Sequence, residues 1–567
     1  MKIILNTLIW ILSIGVLPNL LGGTDINLVN LEKHIRPDGR IKAWIYFKDK
    51  GDPAHVLGKQ RQVELSKKVI QRRAKVGLKD TWYDAPVNND HIKSVLARGA
   101  ELNQESRWLN AISIFSTLEE LSAIAGLPQV KDVIPVLTHR RQIPKLEELK
   151  PARTNKIKAV SIDYGAAGAQ LEQINVPEVH EAGYFGQGVR ILILDTGFYT
   201  DHEVFDSLTI IETRDFINDD EIVSNESGQD VENQQNHGTY TFSALGGYAP
   251  GELVGPAFKA EFILAKTERL EEEIQQEEDD YVAALEWGES LGADIVSSSL
   301  GYLDWYTFQD LDGNTAVTTK AVDIAVSLGM VCVTAAGNEN GNSWNHIIAP
   351  ADADSVISVG AVDKFGNIAS FSSRGPSADG RIKPEVCAQG VSTACAAPGK
   401  EKYISVNGTS LSTPLVAGSA ALILGANPSW TPMMVREALL FTSSQFLKPD
   451  NNYGWGIINV LAAVNYDGFE AGIEDENFIP GLYSISRAYP NPFNPLVNFS
   501  VNIGNSGSVT LTVFNLLGQP VDNIYKGRLE RGLHNFRWNA SGRSTGIYFI
   551  RLESDKHSFT RKITYLK

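Results

Sequence analysis

The sequence predicts a parallel α/β sheet with helices on both faces, preceded by a small α+β domain and followed by a C-terminal β-sandwich. Three observations predict it. Between residues 165 and 465, short and very apolar segments (Val189 to Leu194, Asp294 to Ser297, Met330 to Ala335) alternate with helical stretches such as 281–291 and 318–328. Strands that apolar are buried on both faces, which is the signature of a parallel sheet. Residues 24–150 read β-α-β-α-β, an order that fits helices on one face of an antiparallel sheet. Beyond residue 480, short alternating runs punctuated by Gly518, Gly532 and Gly542 read as a sandwich.

Length and composition set the outer limits. At ~150 residues per domain, 567 residues make about three to four domains. Acids outnumber bases, 67 to 51, for a net charge of −16. A phosphate backbone wants a positive footprint, so nucleic acid is excluded as the main partner. With 43% apolar and 21% charged residues the chain is neither disordered nor wholly membrane-embedded. Three cysteines exclude a disulfide framework and a multi-cysteine metal module.

In chain order, residues 1–23 carry Lys2, an apolar run from Ile3 to Leu21 and then Gly22-Gly23-Thr24. This is the pattern of a secretory signal peptide. A retained anchor is the alternative, but Asn6, Pro18 and Asn19 interrupt the run. The expected location is secreted or cell-surface, with no membrane contact once the signal is removed. The 24–150 domain is expected to hold a strand at Ile41–Phe47, a basic helical stretch at 56–76, a strand at 108–115, a helix at 118–125 and a strand at 130–136. A polar stretch from Thr138 to Ser161 reads as an exposed, cleavable linker. In the 165–465 domain, chemistry is expected just beyond the carboxyl ends of the strands. The 480–567 domain opens with Tyr489-Pro490-Asn491-Pro492-Phe493-Asn494-Pro495.

Three polar signatures occupy those strand ends and the turns near them. Asp195-Thr196-Gly197 directly follows a buried strand. His237-Gly238-Thr239 opens a stretch of small residues. Gly408-Thr409-Ser410-Leu411-Ser412-Thr413-Pro414 precedes an apolar run (415–424) that reads as a buried helix. Each alone passes for a turn or a cap. Together, inside one α/β domain, they supply what nucleophilic catalysis requires. A serine hydroxyl attacks only when a histidine takes its proton, and the histidine needs a carboxylate to fix its tautomer. Gly408 allows close backbone approach, Pro414 is expected in the first helical turn, and the helix dipole favours developing anionic charge.

On these motifs residues 165–465 resemble the peptidase domain of subtilisin-family serine peptidases, implying a subtilisin-like parallel sheet and a zymogenic, secreted endopeptidase acting through an acyl-enzyme. The resemblance implies Ser410 as nucleophile, His237 as general base and acid, and Asp195 as the orienting carboxylate. Ala335-Ala336-Gly337-Asn338-Glu339 matches the family's oxyanion segment, with Asn338 as donor. Ser299-Leu300-Gly301 resembles the edge that pairs with extended substrate, and Ala335, Ala336 and Gly337 would wall a primary pocket with room for a large apolar side chain. No cofactor is implied for the chemistry, with calcium as the family's structural ion and its site left open. Leu127-Pro128-Gln129-Val130-Lys131-Asp132-Val133-Ile134-Pro135-Val136 resembles the inhibitory prodomain. The 489–495 motif, Val513 to Gln519, and Gly546-Ile547-Tyr548-Phe549 resemble a type IX secretion C-terminal sorting domain. The implied partners are protein or peptide substrates, the chain's own prodomain and the secretion machinery.

Several features have plainer accounts. The acidic run Glu268 to Asp280 reads first as a solvated loop leading into a helix whose N-terminus favours acids. Asp215, Asn218, Asp219 and Asp220 form a second acidic turn whose ligand types also suit calcium. Cys332 reads as a buried small hydrophobe, while Cys387 and Cys395 are close enough in sequence to pair. His202 reads as local structure. Two rivals share the fold: a catalytically silent binding or adhesion protein, and a variant that favours aminolysis.

Overall fold

The computed structural model describes residues 35–51 (except 37), 65–136, 148–149, 162–270, 276–466 and most of 483–565. The signal-peptide segment and most of the 138–161 linker lie outside the described residues.

The N-terminal domain is a four-stranded antiparallel sheet in the order β2-β3-β1-β4, with β1 Ile41–Phe47, β2 Glu101–Ser106, β3 Ala111–Ser116 and β4 Val130–Val136. Helices α1 (Lys67–Lys75), α2 (Asn89–Leu96) and α3 (Leu118–Ala125) accompany it. The expected strands and α3 are where the residues place them, and the basic helix is described from Lys67. Two elements were not expected: α2, and β2, whose sequence ELNQES is polar and half exposed and carries no apolar alternation. Thr117 and Glu120 form a reciprocal cap that starts α3. Glu148–Leu149 forms β5, a two-residue strand discussed below.

The central domain opens with the short helices α4 (Gly168–Glu172) and α5 (Val176–Glu181). Its strands are β6 (Arg190–Asp195), β7 (Thr209–Asp215), a small hairpin of β8 (Tyr248–Ala249) and β9 (Leu253–Val254), β10 (Glu261–Lys266), β11 (Ile295–Ser298), β12 (Val331–Ala335), β13 (Ile357–Val362) and β14 (Val386–Gln389). Seven of these form one parallel sheet in the order β14-β13-β12-β11-β6-β10-β7. From β6 the chain builds first toward one edge and then, from β11, toward the other. The switch point therefore lies between β6 and β11, where a crevice opens beyond the strand ends.

Alternation along β6 assigns its side chains to two cores. Ile191 and Ile193 face a cluster that includes Phe242, Leu415 and Val416. Leu192 and Leu194 face one that includes Tyr281, Leu285 and Val322. The first side carries α6 (Asn236–Gly246), and later α9 (Thr409–Ala426), α10 (Pro432–Thr442) and α11 (Val460–Val464). The second carries α7 (Gln276–Ser290) and α8 (Val317–Ser327). Trp44, Trp108, Ala111 and Val136 of the N-terminal domain join the second cluster, so that domain packs over α7 and α8.

A hairpin of β15 (Thr393–Ala396) and β16 (Tyr403–Val406) leads into α9, and β5 pairs antiparallel with β16, Leu149 against Ser405 and Glu148 against Val406. The C-terminal domain stacks a three-stranded sheet, β17 (Tyr483–Ile485), β18 (Leu496–Ile503) and β21 (Gly532–Asn539), on a four-stranded one. The latter holds β19 (Gly507–Asn515), β20 (Pro520–Leu529), β22 (Gly546–Ser554) and β23 (Ser558–Tyr565). Val497, Phe499, Val501, Leu511, Val513, Ile550 and Leu552 interleave between them.

Candidate active site

Asp195 ends β6 at the switch point and is fully buried. The turn that follows brings His237 to it. Gly197 has φ +132°, and a methyl group there would come within 2.9 Å of the Val223 carbonyl. A methyl group at Gly238 would lie 2.1 Å from the Gly197 carbonyl and 3.1 Å from Asp195 Cβ, so only glycine lets the start of α6 rest on this turn. His237, the second residue of α6, thereby places Nδ1 2.6 Å from Asp195 Oδ1. Asp195 also accepts from Thr196 N–H at 2.7 Å and from Thr241 Oγ1 at 2.9 Å. An ionised carboxylate only accepts, so the His237 proton sits on Nδ1 and Nε2 is left with its lone pair. Burial works against protonation of the ring, but Asp195 outweighs it by charge and hydrogen bond, and the His237 pKa lies above its ordinary 6.5.

Ser410 is the second residue of α9 and is buried. Pro414, expected in the first turn, is in fact the sixth residue of that helix. A proline there has no N–H to give the carbonyl four residues back, which frees Ser410 C=O. Ser299 Oγ fills the vacancy, donating to that carbonyl at 2.8 Å, and Ser410 Oγ donates in return to Ser299 C=O at 3.3 Å. Among the described residues no hydrogen bond joins Ser410 Oγ to His237. Asn338 lies beside the same helix start. Its Oδ1 accepts from Thr409 N–H at 2.9 Å and from Thr409 Oγ1 at 3.1 Å. A backbone N–H can only donate, so this contact fixes the amide orientation and leaves the NH2 end as the outward donor.

Two small-residue segments flank the crevice. Ser299-Leu300-Gly301 follows β11 and Ala335-Ala336-Gly337 closes and follows β12, and the two strands pair with Ser298 opposite Thr334. The structure thus gathers Asp195, His237, Asn338, Ser410 and both segments at one edge of one sheet.

Comparison with known proteins gives the family. Residues 186–456 match the subtilase family (peptidase S8), residues 42–152 the peptidase S8 propeptide domain of Bacteroidota, and residues 487–565 the secretion system C-terminal sorting domain. Subtilisin E of Bacillus subtilis (strain 168) is 30% identical over 399 residues, covering 70% of this chain and 91% of that protein. The chain belongs to the subtilase family. A subtilisin of Bacillus pumilus is 34% identical over 306 residues, 54% of this chain and 99% of that one. Subtilisin Savinase of Lederbergia lenta is 31% identical over 293 residues, 52% of this chain and 97% of that one. This subtilase is a serine endopeptidase made with a propeptide and a sorting domain, and is secreted or attached to the cell surface.

The subtilase's acidic run is not the solvated loop its residues suggest. Glu268, Glu277, Glu278, Asp279 and Asp280 are all buried, while Glu271–Glu273 lie outside the described residues. Glu278 accepts from Trp305 Nε1 at 3.0 Å and from Tyr306 Oη at 2.7 Å. Glu268 accepts from Tyr302 Oη and Glu277 from Arg269 N–H, while the propeptide holds three acids of the same helix. Asp279 takes Lys42 Nζ at 2.5 Å, Ser113 Oγ at 2.6 Å and Asn103 Nδ2 at 3.0 Å. Glu286 takes Ser106 Oγ at 2.6 Å and Arg107 Nε at 3.2 Å. Glu289 holds Arg72, Arg73 at 3.0 Å and Arg107 at 3.5 Å. Burying such charges is costly, and removing one partner costs about 3–5 kcal/mol because the others stay desolvated. Glu289→Gln is therefore expected to weaken retention of the cleaved propeptide by about 10²–10⁴-fold. The readout is a shortened lag before peptidase activity, and an unchanged lag would show that the arginines contribute nothing to retention.

In the second acidic turn the chain's own donors already engage Asp215. Asp215 Oδ1 accepts from Ile217 N–H at 2.7 Å and Asn218 N–H at 3.1 Å. Asp215 Oδ2 and Asp230 each hold the buried Lys266 ammonium at 2.7 Å. The carboxylates of Asp220 and Glu226 converge with that of Asp215. Cys332, Cys387 and Cys395 are all buried and free, so Cys387 and Cys395 do not pair. His202 is buried, with Nδ1 accepting from Val204 N–H at 3.1 Å and Nε2 bonded to Lys402 C=O at 3.1 Å.

Proposed function

We propose that this subtilase hydrolyses peptide bonds through an acyl-enzyme formed on Ser410, with His237 as base and then acid and Asp195 as its orienting carboxylate. The observation that carries the reading is the 2.6 Å contact between His237 Nδ1 and the buried Asp195, which aims the Nε2 lone pair away from the carboxylate. As substrate binds, the Ser410 hydroxyl leaves Ser299 C=O by rotation about χ1. Catalytic hydrogen bonds of this kind tighten in the substrate complex. Oγ attacks the scissile carbonyl carbon while its proton passes to Nε2. The carbonyl oxygen becomes an oxyanion, stabilised by the Asn338 NH2 and by Ser410 N–H, a first-turn donor with no intrahelical acceptor. The C–N bond then breaks as Nε2 protonates the amine, and water repeats the sequence on the ester. The chemistry needs no cofactor.

Asn338→Ala tests the oxyanion step. The Oδ1 contact with Thr409 holds the donor before substrate arrives, so its benefit falls on the transition state rather than on binding. Turnover is expected to fall by about 10²–10³-fold, the loss established for this donor in subtilisin itself, with KM nearly unchanged. An equal loss carried wholly by KM would contradict the role.

The same reading extends to maturation. β5, the two described residues of the linker, lies on β16, the strand that feeds α9. That pairing supports cleavage of the linker by the enzyme itself, between Thr138 and Ser161.

A further inference from the structure

Small residues on the two flanking segments make room between them, and something else occupies it. A methyl group added at Gly301 would come within 2.3 Å of Ile348 Cδ1 and 2.5 Å of its Cγ1. One added at Gly337, on the opposite wall, would come within 3.2 Å of both atoms. One isoleucine side chain thus touches both walls at once, and it is 8% exposed. Its backbone is fastened to each wall in turn. Ile348 N–H donates to Ala336 C=O at 3.2 Å, while Ala349 and Tyr302 exchange hydrogen bonds of 2.8 and 3.0 Å. A branched side chain on a segment tied at both sides has little freedom to swing away.

We infer that Ile348 is a specificity-determining residue that fills the floor of the primary pocket, so that the enzyme cleaves after small residues (glycine, alanine, serine) and rejects large apolar ones. This reverses the sequence expectation of a deep apolar pocket, which rested on Ala335, Ala336 and Gly337 alone. It deepens the peptidase reading above and rests on it. An alanine methyl meets the Ile348 side chain at its surface. A phenylalanine ring needs the volume that Cγ1 and Cδ1 already hold, and a close-packed floor does not yield that space cheaply.

The test is kcat/KM of the processed enzyme on p-nitroanilide peptides that differ only at the residue before the scissile bond: alanine, leucine or phenylalanine. The parent is expected to favour alanine over phenylalanine by about 10²-fold, and Ile348→Gly to shift that ratio toward phenylalanine by about the same factor. Ile348→Ala, which disturbs the backbone less, should shift it in the same direction by a smaller factor. A parent enzyme that prefers phenylalanine or leucine overturns the inference, and so does an unchanged ratio in a variant that melts like the parent. Absence of hydrolysis across the whole series, with Ser410 refusing a fluorophosphonate, would instead bring down the peptidase reading and the pocket with it.

Discussion

Ser410→Ala is expected to lower peptide hydrolysis by about 10⁶-fold, the scale at which loss of a triad's nucleophile leaves only binding and oxyanion stabilisation. The substitution removes one oxygen at a buried position, and the fold should tolerate it. Ser410 Oγ contributes a single 3.3 Å bond to the Ser299 carbonyl, whereas the Ser299-to-Ser410 backbone bond at 2.8 Å survives. Loss of activity with an unchanged melting temperature therefore reports chemistry rather than packing. The same variant should retain its propeptide as one uncleaved chain, because the linker's own attacker is gone. Processing of Ser410→Ala at the parent rate would refute self-maturation.

Asp195→Asn has the second-largest expected effect, about 10⁴-fold in kcat. An amide donates where a carboxylate accepts, so it turns the His237 ring toward the wrong tautomer and no longer steadies the imidazolium. It also moves the pH profile in a direction that can be worked out. The base must be neutral to accept the Ser410 proton, so activity falls as pH drops through the His237 pKa. In the parent, Asp195 raises that pKa above 6.5 against the opposing effect of burial. Without the carboxylate charge, burial acts alone, and the acid limb of kcat/KM should shift below 6.5. A limb that stays in place would mean that Asp195 does not set the charge on His237.

Much of this site is legible in the sequence because its local requirements are written in short spans. Apolar runs ending in Asp195, Ser298 and Ala335 are strands buried on both faces, and the polar residues after them fall at one sheet edge. Gly197 and Gly238 mark the close approach that brings His237 to Asp195. What was not legible depends on partners far away in sequence. Asp279 looks solvated until Lys42, Asn103 and Ser113 arrive from the propeptide, and Glu278 until Trp305 and Tyr306 close on it. Glu289 is anchored by Arg72 and Arg73, more than two hundred residues earlier. Strands β2 and β20 lie largely in contact with solvent and so lack the alternation that betrays a strand. Ile348 sits in no motif, and its effect follows only from lying between Gly301 and Gly337.

Placement of the propeptide on α7 also bears on how the zymogen is held. Helix α7 packs against the sheet that carries Asp195, through Tyr281 and Leu285 on the side of Leu192 and Leu194. On its other side Asp279, Glu286 and Glu289 pair with basic residues of the propeptide. Asp280 shows the strain of that arrangement, since burial and then the neighbouring Asp279 push its carboxyl well above the usual range.

Labelling of the processed enzyme with a fluorophosphonate, followed by peptide mass spectrometry, addresses the centre of this account most directly. A hydroxyl reacts with such a probe only when a base takes its proton and donors receive the charge on phosphorus-bound oxygen. The expected result is one adduct, on Ser410, that disappears in His237→Ala and persists weakly in Asn338→Ala. An adduct on another residue, or an intact folded enzyme that cleaves peptides while Ser410 stays unmodified, would contradict it.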